Sequence, residues 1–142
     1  MCSASYFATT PKSWNENGDN FFSKGNFSEA MKCFDKALVI DPKNEAAWNS
    51  KGYTFIEMGK YEEAIQAFDE AINIARDFED AWTGKGYALF YLGKDNEAIQ
   101  AFDEAIRVTP DFKKAWKGKG DVLKRLGRVE EANVCYEKAE GN

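Results

Sequence analysis

The sequence predicts an all-α solenoid built from four helix-turn-helix repeats. Ten residues, Glu63–Ile72, recur letter for letter as Glu97–Ile106, a shift of 34 positions (97 − 63). Within each copy the small and apolar residues recur at helical rather than alternating spacing. All four tryptophans occupy the same point of successive units: Trp14, Trp48, Trp82 and Trp116. A fixed period of this length is the signature of stacked helical repeats.

Small residues recur at fixed positions when the units are counted from Pro11, Glu45, Glu79 and Lys113. Every unit has glycine at positions 8 and 15, alanine at positions 20 and 27, and an aromatic residue at position 24. We expect the residues at positions 8 and 20 to let the two helices of a repeat approach closely. Glycine at position 15 can take the left-handed conformation that ends the first helix, and proline at position 32 of two repeats ends the second.

These columns resemble the tetratricopeptide repeat in period and in nearly every signature position. The resemblance implies a right-handed α-solenoid of four antiparallel repeats over residues 11–142, namely 11–44, 45–78, 79–112 and a truncated 113–142. Residues 1–10 carry no repeat pattern and are predicted to form an N-terminal arm. Helices are expected at 12–24, 27–40, 45–58, 61–74, 79–92, 95–108, 113–126 and 129–139.

Composition argues against several classes of function. The net charge of −5 disfavours nonspecific binding to nucleic acid, although repeat four is locally basic, with eight cations against five acids. No apolar run is long enough to span a membrane, and Met1–Thr10 lacks a signal-peptide pattern. We therefore expect a soluble cytoplasmic protein with no nucleic-acid or membrane partner. Because a bridge between Cys33 and Cys135 would cross several helix widths, we also expect reduced thiols.

The sequence offers no catalytic or metal-binding motif. It contains no histidine, which is the commonest general base and metal ligand. It has no glycine-rich phosphate loop, nucleophile elbow or calcium-loop spacing. Carboxylates occur as pairs such as Glu62-Glu63 on outward helix faces, where they serve solubility. We predict that the protein is not an enzyme and has no cofactor.

The resemblance implies a concave face lined by the first helix of each repeat, with positions 2, 5, 6, 9, 12 and 13 directed into it. On this basis we predict a non-catalytic protein-protein interaction module that holds a peptide or short helix with apolar or aromatic and acidic residues. Gly84 and Gly118 at position 6 are expected to leave hollows beside the aromatic rings. For Phe90, packing between adjacent first helices is as good an interpretation as contact with a ligand. The candidate groove residues are Asn15, Asp19, Phe22, Asn49, Tyr53, Ile56, Thr83, Tyr87, Phe90, Tyr91, Lys114, Lys117, Asp121, Lys124 and Arg125.

One subgroup of the family binds the carboxylate of chaperone tails through a clamp of lysine, arginine and asparagine residues. At the clamp positions repeats one to three offer Asn15, Asp19, Ser50, Asp80 and Gly84, and repeats two to four offer Asn49, Tyr53, Gly84, Lys114 and Gly118. Neither set makes the clamp, so we do not expect chaperone-tail binding of this type.

Two alternatives to peptide binding remain. The chain could be a structural spacer or self-assembly segment of a larger protein that docks through an uncapped repeat four, with a homo-oligomer as one form of that contact, since terminal repeats need a polar cap. That alternative expects apolar surface at Val122, Leu123, Leu126 and Tyr136. RNA binding through the cations of 114–128 is ranked last and predicts salt-sensitive retention.

Overall fold

A computed structural model describes residues 10–141, which form eight α-helices and no strand. The predicted arm, residues 1–10, lies outside the described residues except for Thr10. The chain divides into two compact units between Arg76 and Asp77. The first unit contains α1 (Pro11–Ser23), α2 (Phe27–Ile40), α3 (Glu45–Glu57) and α4 (Tyr61–Ile74). The second contains α5 (Glu79–Tyr91), α6 (Asp95–Val108), α7 (Lys113–Arg125) and α8 (Val129–Ala139). The helix ends agree with the predicted ones to within one residue.

Glycine at position 15 ends each first helix as predicted. Gly25, Gly59, Gly93 and Gly127 all have φ between 75° and 80°, a conformation that costs other residues a clash at Cβ. In each turn the glycine N–H donates to the carbonyl three residues back, as from Gly93 to Phe90 at 3.0 Å. The next residue donates to the carbonyl five residues back, as from Lys94 to Leu89 at 2.9 Å. These two bonds form a Schellman motif, which satisfies the last carbonyls of the helix.

Glycine at position 8 makes room for an aromatic ring of the second helix. A Cβ built on Gly52 would lie 2.5 Å from Cε1 of Phe68, and one on Gly86 would lie 2.7 Å from Cε1 of Phe102. These phenylalanine rings are fully buried. The expected close approach is therefore present at position 8, where the glycine lies against the ring at position 24.

Lysine at position 7 binds an aspartate of the preceding helix. Nζ of Lys51 lies 2.8 Å from Oδ1 of Asp35, and Nζ of Lys119 lies 2.7 Å from Oδ1 of Asp103. Each ammonium group also lies near the tryptophan ring three residues earlier in its own helix, at 5.1 Å for Lys51 and 5.8 Å for Lys119. These lysines join neighbouring helices within each unit through the ion pair, while the cation–π contact holds each lysine against its own helix.

Two sequence expectations are corrected. Val122 and Leu123, expected to be exposed at the end of repeat four, are buried; Leu123 forms a cluster with Ala132 and Cys135 of α8, against which Ile99, Trp116 and Tyr136 pack. The expectation of reduced thiols fails for Cys33, which is disulfide-bonded, while Cys135 is a free, buried thiol. No helix in the described part of the chain is long and apolar enough to cross a membrane.

Candidate functional site

The first unit presents candidate groove residues on α1 and α3. The amide of Asn15 donates to Oδ1 of Asn44 at 3.2 Å, which ties α1 to the residue that caps α3. The hydroxyl of Ser50 donates to Oδ1 of Asp19 at 3.4 Å. Partial burial raises the pKa of Asp19, against the lowering effect of the Ser50 hydrogen bond. The polar residues of this face therefore bind one another across the two helices.

The apolar candidates of the first unit are held by aromatic contacts. Phe22 lies edge to face with Phe27 at 5.4 Å between ring centroids, and Tyr53 does the same with Phe68 at 5.0 Å. Tyr53, Phe22 and Ile56 are half-buried, and Asn49 is buried. This face offers partly exposed rings whose positions are fixed by the core beneath them.

The second unit presents the more exposed aromatic surface. Tyr91 of α5 is 49% exposed, and its ring stacks on Tyr87 at 6.4 Å with an interplanar angle of 27°. Phe90 lies 5.7 Å from Tyr91 and is half-buried. Thr83 is fully buried, with its hydroxyl donating to the Glu79 carbonyl at 2.8 Å. Its side chain is therefore turned away from any ligand.

Tyr87 is less available than Tyr91. Its ring lies edge to face with Phe102 at 5.1 Å, and its hydroxyl donates a long hydrogen bond of 3.4 Å to the Lys114 carbonyl. Gly118 offers no hollow beside it, because a Cβ there would lie 2.4 Å from the Phe102 ring, and Gly84 is buried. Tyr87 thus supports the exposed ring of Tyr91 from below.

Two phenols of the second unit should titrate late. Burial, aided by the negative charge of Asp121, raises the pKa of Tyr87 to about 12. Burial also raises the pKa of Tyr136 to about 12, and its hydrogen bond to Asp121 of 2.7 Å acts in the same direction. Because both pKa values rise on folding, the stabilisation is present below the ordinary tyrosine pKa and is lost as pH rises towards about 12.

We therefore expect phenolate absorbance of the folded chain to show a high-pH component that shrinks in Tyr87→Phe and in Tyr136→Phe. Each substitution should remove about one phenol from that component. If Tyr87→Phe instead reduces the phenolate absorbance that appears near the ordinary tyrosine pKa, solvent reaches the Tyr87 hydroxyl.

Most cations of α7 are paired with carboxylates of the same unit. Lys114 lies 3.6 Å from Asp80, and Lys117 lies 3.4 Å from Asp121. Lys124 is exposed and has no charged partner among residues 10–141. The basic surface expected from the sequence is thus largely neutralised within the chain.

Arg125 is the most constrained of these cations. Its guanidinium binds both carboxylate oxygens of Asp95 and donates from Nη2 to the Phe90 carbonyl at 2.6 Å. The group also lies 3.8 Å from the centre of the Phe90 ring. These contacts join the end of α7 to the end of α5, so Phe90 serves packing at least as much as it faces a ligand.

Sequence reasoning missed the side chains that hold this site. Asp95 stands at position 17, where the other repeats have Phe27, Tyr61 and Val129. A carboxylate at a position that is otherwise apolar or aromatic could have been noticed in the sequence. Tyr136 had been expected as exposed surface, yet its hydroxyl fixes Asp121. Within residues 10–141 no group of three or more histidine, cysteine or acidic residues could hold a metal ion.

The chain is similar to known repeat proteins. A TPR repeat model matches residues 18–59, and tetratricopeptide repeat models match residues 45–78, 79–112 and 114–141. A comparison with curated protein sequences gives no significant match.

Solved structures share the fold at low sequence identity. The crystal structure of MamA is 23% identical with a TM-score of 0.81, over 92% of this chain and 77% of that one. The first TPR of Spaghetti (RPAP3), bound to the HSP90 peptide SRMEEVD, is 22% identical with a TM-score of 0.79, over 83% and 94%. The first TPR domain of human RPAP3 is 22% identical with a TM-score of 0.81, over 85% and 95%. Because the family models together span most of the sequence, the chain belongs to the tetratricopeptide repeat family.

Proposed function

We propose that this chain is a non-catalytic protein-interaction module. A peptide or short helix binds to the first helix of each repeat, principally on the face formed by α5 and α7. The observation that carries the proposal is Tyr91. Its ring is 49% exposed, although it is large and partly apolar. Position 13 is not a signature position of the repeat, so the fold does not require tyrosine there. An exposed tyrosine on a rigid support is a typical anchor for a peptide ligand.

The surroundings of Tyr91 support a binding role. Its partner ring, Tyr87, is fixed by Phe102 and by the Lys114 carbonyl, so little conformational freedom is lost when a ligand covers the pair. Asp121 of the neighbouring helix is close enough for its charge to add to burial in raising the pKa of Tyr87, and it pairs with Lys117 at 3.4 Å. An aromatic centre with a polar rim is the usual arrangement of a protein interface.

One structural neighbour, the first TPR of Spaghetti (RPAP3), is bound to an HSP90 peptide. That complex supports a peptide as the class of ligand for this chain. The lysine and asparagine clamp of chaperone-tail binders is absent here, with Asp19, Tyr53 and Gly84 among the residues at its positions. We therefore propose a different peptide, chosen by the aromatic face rather than by a terminal carboxylate.

A displayed dodecapeptide library, selected on the full chain and on Tyr91→Ala, tests this function. We expect enriched peptides that bind the Tyr91→Ala variant at least about tenfold more weakly, since a central aromatic anchor commonly contributes 1–2 kcal/mol or more. Helicity and thermal stability of the variant should match those of the parent, because an exposed side chain contributes little to folding. Val39→Ala, which removes an exposed side chain of α2 in the first unit, is the control and should leave binding unchanged.

The alternative, a self-assembly segment, is favoured by one observation. Repeat four exposes Leu126, Val129 and Val134, at 41%, 54% and 52%. Against it, the outer side of α8 is polar where a following repeat would pack, with Asn133 in the position of Ile99. Selection that enriches no peptide, together with a mass in light scattering that rises with protein concentration, would favour self-assembly over peptide binding.

A further inference from the structure

We propose that residues 1–9 of this chain dock on the outer side of α2, and that Cys2 holds them there through a disulfide bond to Cys33. The outer side of α2 is the one that carries Glu29 and Cys33, which lie one helical turn apart. The inference goes beyond the proposed function, because it concerns the start of the solenoid rather than the face that α5 and α7 form.

Position 23 lies on the side of a repeat that faces the repeat before it. Cys135, at this position in α8, belongs to a cluster of buried residues against which Ile99 of the preceding second helix, α6, packs. Repeat one follows residues 1–10, which carry no repeat pattern, so no earlier repeat supplies such a helix to cover Cys33. Cys33 is nevertheless fully buried. Another part of the chain therefore lies over it.

Glu29 gives the same indication one turn earlier in α2. Its side chain is only 13% exposed, although the glutamates at this position in the other three repeats are all exposed. A hydrogen bond from the amino terminus of the chain is the largest cause that lowers the pKa of Glu29, followed by the hydrogen bond from Lys32 at 3.1 Å. The start of the chain is thus within reach of the side of α2 that carries Cys33.

The partner of Cys33 follows from the number of cysteines. The sequence has three, namely Cys2, Cys33 and Cys135. Cys33 is disulfide-bonded and Cys135 is a free thiol, so Cys2 is the one cysteine left to pair with Cys33. The bond joins positions 31 residues apart (33 − 2). A bond that closes a loop of this length restricts the unfolded chain and so favours the folded one.

Formation of this bond is an oxidation. One molecule of oxidised glutathione takes two electrons and two protons from the thiols of Cys2 and Cys33, and two molecules of reduced glutathione leave. Through the bond, residues 1–9 serve as the cap that a terminal repeat needs. Reducing conditions open the bond, so the cap is held covalently only under oxidising conditions.

Thiol titration and peptide mapping of the full chain test the bond. After exposure to oxidised glutathione and unfolding in guanidinium, we expect one free thiol per chain, from Cys135, and three after reduction. Trypsin should release the peptide 1–12 joined to the peptide 33–36, at a mass two hydrogen atoms below their sum. Three free thiols before reduction, a covalent dimer, or a bond from Cys33 to Cys135 would each overturn the proposal.

The melting temperature measures what the bond contributes to stability. Reduction should lower the melting temperature of the parent by about 5–15 °C. Cys2→Ser should melt at the temperature of the reduced parent under both conditions. Cys135→Ala, which introduces the alanine that repeats two and three have at this position, is the matched control and should keep the difference. Equal melting temperatures for the parent and Cys2→Ser under oxidising conditions would contradict the role as a cap.

Alkylation of Cys33 tests docking separately from the bond. In the reduced chain without residues 2–9, Cys33 should react with N-ethylmaleimide at least about tenfold faster than in reduced Cys2→Ser, because the deletion uncovers its side chain. Cys135 is buried within α6–α8 and should react equally slowly in both proteins. An unchanged rate for Cys33 would mean that another part of the chain covers it, and would overturn the docking of residues 1–9.

Discussion

Replacing Phe102 by alanine should lower the free energy of unfolding by about 3–5 kcal/mol, as deletion of a buried aromatic ring usually does. The ring is fully buried, and it fills the space between two first helices because Gly86 of α5 and Gly118 of α7 both lie against it. It also supports Tyr87 edge to face at 5.1 Å. Its removal leaves a cavity at the junction of two repeats, which the helices can close only by shifting relative to each other.

Urea denaturation followed by helical circular dichroism measures the loss, with the slope compared between parent and variant. Tyr91→Ala is the matched control, since it deletes an aromatic side chain that is about half exposed and should change stability by no more than about 0.5 kcal/mol. Equal losses in the two variants would mean that Tyr91 belongs to the core. The aromatic anchor of the proposed binding face would then have to be sought elsewhere.

The helices were predictable because the residues that end them act locally. A glycine such as Gly93 ends the first helix through its own left-handed conformation, whatever lies beyond the turn. Helix α4 is an exception for the proline, because it ends at Ile74 although Arg76 stands where repeats one and three have proline. Short-range chemistry of this kind is readable from the sequence, and the period of 34 then repeats it through the chain.

The ion pairs of the candidate site were not predictable, because they join helices of neighbouring repeats. Arg125 meets Asp95 only at a particular distance and angle between α7 and α6, and the period does not specify either. The same holds for Lys51 and Asp35 in the first unit. A sequence shows how many charges a face carries, but their pairing depends on tertiary packing.

The polar outer side of α8 was predictable and was missed. At position 21 the chain has Ile65 and Ile99 but then Asn133, and at position 28 it has Ile72 and Ile106 but then Glu140, the residue that follows α8. Ile99 shows what this position does, since it packs against the core of the following helix pair. A search for repeat positions at which α8 loses an apolar residue present in the other repeats would have indicated that this side of α8 can face solvent.

Gly118→Ala should lower the free energy of unfolding by about 1–3 kcal/mol, the usual cost of overpacking a core. The added Cβ would lie 2.4 Å from both Cε1 and Cζ of Phe102. The ring has little room to move away, because it is fully buried and Gly86 also lies against it, where a Cβ would be 2.7 Å from Cε1. The clash therefore outweighs the preference of about 1 kcal/mol for alanine over glycine within a helix.

The same substitution in a Phe102→Ala background should change sign. Without the ring, the methyl group enters the cavity and meets no atom that must shift, so only the helical preference and a small gain in packing remain. Gly118→Ala should then raise stability by up to about 1 kcal/mol, and urea denaturation of the four proteins gives the coupling directly. If Gly118→Ala costs the same with and without the ring, the glycine is needed for its backbone, and the requirement at position 6 of α7 comes from helix geometry rather than from the Phe102 ring.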